Sequence, residues 1–190
     1  MITELVEKTR SCRRFEQKEL PEEFMKSLVE TARVCPSARN KQPLKYITIE
    51  NHDFRNLLFP HLNWAGSLKN WDGPIEGERP TGYVVLILDK RISSSAGLDT
   101  GIVAQTMQLV AMEKGIGSCM LGAFIKENVA KLLELGDELE IQLILALGYP
   151  LEKRVIVDVK DESDVSYFRD DNQVHYIPKR SLESLLLRKI

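Results

Sequence analysis

Two apolar runs limit the architectures open to this chain: Tyr83-Val84-Val85-Leu86-Ile87-Leu88 is uninterrupted, and Leu139 to Leu147 is broken only by Glu140 and Gln142. A strand with one wet face alternates polar and apolar residues, so a run without alternation predicts burial on both faces. The first run therefore reads as a strand covered on both sides. The second reads as a central strand that stops at Gly148-Tyr149-Pro150. Lys45–Glu50, rich in β-branched and aromatic residues, predicts another strand, and Val155–Val159 a further one.

Helical spacing surrounds these runs. Pro21 opens a segment with apolar residues at Phe24, Met25, Leu28, Val29 and Ala32, expected to end before Pro36. Asp99 is expected to cap a long helix with a stripe of Ile102, Val103, Thr106, Met107 and Val110, with Gly115 just past its end. A shorter helix is expected from Lys126 to Leu135, closed by Gly136, and the tail from 181 to 190 is helix-like, with Leu182, Leu185 and Leu186 on one side. The polar, acidic stretch up to Asn172 holds too few apolar residues to pack alone. Residues 51–81 carry Pro60, Gly66, Gly73, Pro74, Gly77 and Pro80 with both tryptophans, Trp64 and Trp71, and form an irregular candidate lid. Helices and strands intermix without a βαβ repeat, which predicts an α+β fold with helices packed around a mixed, mainly antiparallel sheet. At 190 residues and 43% hydrophobic, one domain spanning 1–190 is expected.

The net charge of -2 supplies no broad excess of Lys and Arg, which argues against a nucleic-acid or anionic-membrane partner. Met1 leads into Ile2-Thr3-Glu4-Leu5-Val6-Glu7 without a signal-peptide pattern, and no apolar stretch approaches the roughly 20 residues needed to span a bilayer, so a cytoplasmic location is expected. Cys12, Cys35 and Cys119 are odd in number and far apart, which fits reduced thiols; with His52, His61 and His175 equally scattered, no metal site is expected.

Against this near-neutral background, two clusters concentrate cationic groups: Arg10-Ser11-Cys12-Arg13-Arg14-Phe15 and Pro178-Lys179-Arg180-Ser181. Guanidinium forks beside a hydroxyl suit a phosphate, so a phosphorylated small ligand is expected. Gly115-Ile116-Gly117-Ser118-Cys119-Met120-Leu121-Gly122 follows a helix rather than a strand, which argues against a Rossmann site; its glycines either let backbone N–H groups approach a flat ligand or make a cap and turn. Ser37, Asn40 and Gln42 form a polar knot between Pro36 and Pro43 that suits the carbonyl and N–H edges of a heterocycle, or simply a turn. Cys119 is a nucleophile only if its thiolate is stabilised, and no His lies near it in sequence.

In order along the chain, Arg-Ser-x-Arg from Arg10, Pro-Ser-Ala-x-Asn-x-Gln-Pro from Pro36, Asp99-Thr100-Gly101, Gly117–Gly122, Ala146-Leu147-Gly148-Tyr149-Pro150 and Pro178–Leu182 resemble the nitroreductase family over nearly the whole length. Tyr167-Phe168-Arg169-Asp170 with His175 is similar to a subgroup of its small members. The resemblance implies FMN, an α+β fold and a homodimer with the flavin at the subunit interface. It implies that Arg10, Ser11 and Arg13 contact the phosphate, ribityl chain and pyrimidine edge, with Lys179 and Arg180 on the phosphate and Arg14 as a substitute cation. Pro36, Ser37, Ala38, Asn40 and Gln42 would be the strip that the second subunit lays on the same flavin, and Leu121, Gly122 and Ala123 would aim backbone N–H groups at the reactive ring nitrogen. The chain departs from the pattern at Thr9, where many members have Arg, and at Leu44, where Trp is common. The activity implied is hydride transfer from NADH or NADPH through flavin to an electron-poor small-molecule acceptor, a nitroaromatic or quinone, with no side chain acting as nucleophile. The alternatives are a flavin-binding or flavin-sensing protein without efficient turnover, and a thiol redox protein using Cys119.

Overall fold

Strand β2 (Gly82–Asp89) is buried at every position, and β4 (Leu139–Gly148) throughout its second half. The two pair antiparallel at the centre of a four-stranded sheet; β1 (Leu44–Ile49) lies outside β2, and β3 (Gly117–Leu121) outside β4. The computed structural model describes residues 1–68, 71–159, 161 and 163–190.

The missing alternation in β2 has a direct cause. Successive side chains point to opposite faces, and both faces are covered. Val84, Leu86 and Leu88 pack with Phe24, Met25 and Leu28 of α2 (Phe24–Arg33) and Val103, Ala104 and Met107 of α4 (Asp99–Glu113). Tyr83, Val85 and Ile87 face Leu58 of α3 (His52–Leu58), Leu62, Trp64 and Val129 of α5 (Lys126–Leu132). Each large side chain taken from water in this way contributes roughly 1.5–3 kcal/mol.

Several expectations need correction. Residues 51–81 are not irregular throughout: α3 and a 3-10 turn at Phe59–His61 occupy the first part, and Trp64 is buried in the second core, stacked on Phe59 at 5.9 Å. The spacing signal was obscured by Pro60 and the glycines further on. Lys69 and Asn70, within the candidate lid, lie outside the described residues. Asp99 is the first residue of α4 rather than its cap, a place taken by Leu98. The buried face of α4 is Val103, Ala104, Met107 and Ala111, while Ile102 is exposed, because two small alanines allow close packing where the hydropathy pattern favoured larger residues. The glycine-rich 115–122 stretch contains strand β3, not a loop. N-terminal α1 (Ile2–Lys8), which buries none of its residues, has no apolar stripe that would reveal it.

A second sheet, in the order β5-β7-β6, follows the core. β5 (Arg154–Asp158) runs parallel to β7 (His175–Lys179), and β6 (Phe168–Arg169) antiparallel to it. The named strands of the central sheet pair antiparallel and β5 pairs parallel with β7, in keeping with the expected mixed, mainly antiparallel α+β fold. The acidic stretch does contribute structure, since Phe168 stacks on Tyr176 at 5.0 Å. The tail helix is short: α6 (Leu182–Leu185) has four residues, Leu186 to Ile190 are non-helical, and Leu182, Leu185 and Leu187 are exposed. Among the described residues, no helix is long and apolar enough to cross a membrane.

Candidate functional site

The site is built on the free edge of β3. Ser11 bridges Ser118 in parallel, and the Cys12 N–H donates to the Ser118 carbonyl at 2.8 Å, so the first basic cluster extends the sheet by a fragment of strand. Cys12 and Phe15 are fully buried and pin the cluster down. Their approach depends on missing side chains: a Cβ on Gly117 would lie 2.9 Å from Cys12 Cβ and from Pro150 Cγ, and one on Gly148 would lie 2.8 Å from Phe15 Cδ1.

Pinned in this way, the segment forms one wall of a cavity of about 300 Å³ with Arg10, Ser11 and Arg13. Gln105 and Gln108 of α4 and Met120 of β3 form a second wall; Tyr167 and the alternating residues His175, Ile177 and Lys179 of β7 form the third. The two basic clusters, more than 160 residues apart in sequence, thus meet through Arg10, Arg13 and Lys179. Arg10 also donates to Thr9 O and Val6 O, both at 2.6 Å, placing its charge at the carbonyl end of α1.

Arg13 is 9% exposed. Its Nη1 donates to His175 Nε2 at 3.2 Å, and its guanidinium lies 4.6 Å from the centre of the Tyr167 ring. Behind it, the fully buried Glu152 carboxylate accepts the Arg13 backbone N–H at 2.6 Å through Oε1 and the Arg169 guanidinium at 2.7 Å through Oε2. Arg169 stacks in turn on Trp71 at 4.3 Å. Burial pushes His175 down to about 4 against the upward pull of Glu152, with the Arg13, Arg169 and Arg154 cations adding to the depression, so the ring is neutral at pH 7. Among the described residues, Arg13 Nε and His175 Nδ1 are buried without a hydrogen-bond partner.

The other expected residues are distributed as follows. Arg14 turns away from the cavity and forks onto Glu78, Nε at 2.6 Å and Nη2 at 2.5 Å, which holds the Glu78 carboxyl below its ordinary range; it does not stand in for the cation missing at Thr9. Arg180 is exposed and, unlike Lys179, does not line the cavity. Leu121 is buried, while Gly122 and Ala123 are exposed just past β3. The Ala123 carbonyl accepts from Asn63 N–H at 3.0 Å, but neither the Gly122 nor the Ala123 amide donates to a described residue. Pro36, Ser37, Ala38, Asn40 and Gln42 are not at this cavity. The Ser37 hydroxyl donates to Asp99 Oδ2 at 2.6 Å, Ala38 N–H donates to Asp99 Oδ1 at 3.0 Å, and Gln42 N–H donates to Ser37 Oγ at 2.9 Å. Arg39, Asn40 and Gln42 are held at φ of 53, 54 and 51°, a left-handed backbone presenting an exposed strip.

Cys119 is buried, and burial raises its thiol, so it is protonated at neutral pH and no nucleophile. Sequence reasoning missed Gln105, Gln108, Met120, Ile177 and Glu152, and gave Tyr167, Arg169 and His175 no role. An isolated Gln or Glu in a helix or loop carries no local signal; only the fold, which sets α4, β3 and β7 around one cavity, brings the lining residues together.

The nitroreductase family model matches residues 6–149. A Methanothermobacter thermautotrophicus protein, named provisionally as an NADH dehydrogenase/NAD(P)H nitroreductase, is 23% identical, covering 84% of this chain and 83% of its own. The iodotyrosine deiodinase of Thermotoga neapolitana is 25% identical, covering 79% and 89%. An FMN-dependent nitroreductase from Clostridium difficile R20291 shares the fold with a TM-score of 0.64 at 20% identity, covering 84% of this chain and 92% of that one. With its motifs in family order and the family match spanning most of its length, this chain belongs to the nitroreductase family, and with it to the oxidoreductases.

Proposed function

We propose that this protein is an FMN-dependent oxidoreductase that takes reducing equivalents from NADH or NADPH and passes them to an electron-poor small molecule, a nitroaromatic or a quinone. One observation carries the reading: Arg13, Ser11 and Lys179 converge on a single cavity in which a guanidinium is buried with an unmet donor. A buried cation of this kind needs an anionic or strongly accepting ligand, which the phosphate and pyrimidine edge of FMN would supply. Arg10 and Lys179 would hold the phosphate, Ser11 the ribityl chain and Arg13 the pyrimidine edge. The free Gly122 and Ala123 amides would donate to the ring. Bound there, FMN would supply the hydride-accepting centre, and the chain's own groups would bind, orient and polarise it.

Two copies are needed to complete the site. The strip from Ser37 to Gln42, exposed from Ala38 onward, shares no residue with the cavity of its own chain, so it would serve the cavity of a second copy. The exposed Leu182, Leu185, Leu186 and Leu187 supply apolar surface for the same contact. Sedimentation at micromolar concentration showing only monomer would exclude the dimer. The decisive experiment for the activity is anaerobic mixing of the yellow protein with NADH or NADPH: bleaching by one of them, then rapid recolouring by an added nitroaromatic or quinone, is expected. Bleaching without recolouring would leave a flavin-holding protein, and no bleaching would remove the reductase reading.

A further inference from the structure

Arg13 is a buried cation without a carboxylate. Among the described residues its guanidinium forms no ion pair, although an acid stands close by. Glu152 is already committed: one oxygen takes the Arg13 backbone N–H and the other takes Arg169. The groups that do hold the Arg13 side chain are neutral. His175 accepts from Nη1 at 3.2 Å, the Tyr167 ring lies beneath at 4.6 Å, and the buried Cys119 thiol stays protonated.

The tautomer of His175 follows from its partner. A guanidinium has donors and no acceptor, so Nε2 must accept and the ring proton resides on Nδ1. Burial and the surrounding Arg13, Arg154 and Arg169, opposed by Glu152, keep a second proton off the ring. His175 therefore fixes the direction of Arg13 as a carboxylate would, but leaves its charge uncancelled. The structure shows the contrast directly: Arg14 and Arg169 are each held by a carboxylate, and neither lines the cavity.

We infer that His175 is a positioning residue whose neutral acceptor holds the Arg13 guanidinium toward the cavity with its full charge available to an anionic ligand. Under the FMN reading above, on which this rests, that ligand is the flavin, and the charge favours its reduced, anionic form over the oxidised one. Tyr167 completes the arrangement by closing the far side of the guanidinium with an aromatic face rather than an acid.

The test compares two variants as full-length holoproteins. His175→Gln keeps a neutral acceptor; His175→Glu substitutes a charged one. With the midpoint potential of bound FMN as the readout, His175→Gln should stay within about twofold of wild type in its preference for reduced over oxidised flavin. His175→Glu should lower that preference about tenfold, ~30 mV more negative for a two-electron couple. A merely structural role would move both variants together, and that result, or an unchanged potential in His175→Glu, overturns the inference. If His175→Glu does not fold, nitrogen NMR of histidine-labelled wild-type holoprotein decides: a neutral ring protonated at Nδ1 across neutral pH supports the inference, and an imidazolium or an Nε2–H ring overturns it. Wild-type protein that takes up no FMN overturns the flavin reading and the ligand half of this inference; uptake with coincident variant potentials overturns the inference alone.

Discussion

The Ser37 hydroxyl donates to the Asp99 carboxylate at 2.6 Å and so ties the Pro36–Gln42 strip to the first turn of α4. Asp99 also accepts the Ala38 N–H and is 4% exposed. Asp99→Ala leaves the Ser37 hydroxyl and the Ala38 amide without their acceptor, at a cost of about 1–3 kcal/mol. The expected outcome is a lower urea midpoint together with weaker FMN retention, measured as flavin released on dilution. Retention equal to wild type would show that the strip does not touch the cofactor.

Gly117 is the point where the basic segment meets β3. A Cβ at 2.9 Å from Cys12 Cβ and Pro150 Cγ meets two stiff groups, so Gly117→Ala has to push the segment off the sheet edge. Overpacking of this kind costs typically 1–3 kcal/mol. Thermal unfolding should show the loss, with flavin retention falling alongside it. Gly77→Ala is the control for crowding, since a Cβ there meets nothing within 4 Å and the residue lies away from the cavity.

Stability should depend on pH through His175. Its folded value of about 4 lies below the ordinary 6.5, so between these values the unfolded chain binds a proton that the folded chain refuses. The His175 contribution is therefore constant above about pH 6.5 and is lost as the pH drops toward 4, by up to about 3 kcal/mol. Urea unfolding at a series of pH values should show this slope in wild type and a flatter profile in His175→Gln. Identical profiles would place the acid sensitivity elsewhere.

Thiol titration should separate the three cysteines. Cys12 and Cys119 are buried, and burial pushes Cys12 up to about 12 and Cys119 upward as well, while Cys35 is half-buried. A disulfide reagent at neutral pH should label one thiol in the native protein and three after denaturation. Rapid labelling of Cys119 in the native state would reopen a thiol chemistry for the site.

Much of the fold was legible because its determinants are local. The unbroken run in β2 requires cover on both faces, and the periodicity of Phe24, Met25, Leu28 and Ala32 supplies one of the covering helices. β6 and β7 were not legible, since two and five residues, mostly half-exposed, carry no periodicity. The basic clusters announced an anion, but their residues divide on folding: Arg13 and Lys179 enter the cavity, whereas Arg14 turns onto Glu78. Which way each arginine turns depends on the acid that folding places beside it, and Glu78 lies 64 residues from Arg14.

The sequence by itself determined the α+β class, the buried central strands and the family to which the motifs belong, because hydrophobic periodicity and motif order are written along the chain. Only the tertiary structure decided that Glu152 would take Arg169 and the Arg13 backbone while neutral His175 took the Arg13 side chain. Charge compensation depends on distances in space, and residues 13, 152, 169 and 175 become neighbours only when the second sheet meets the basic segment.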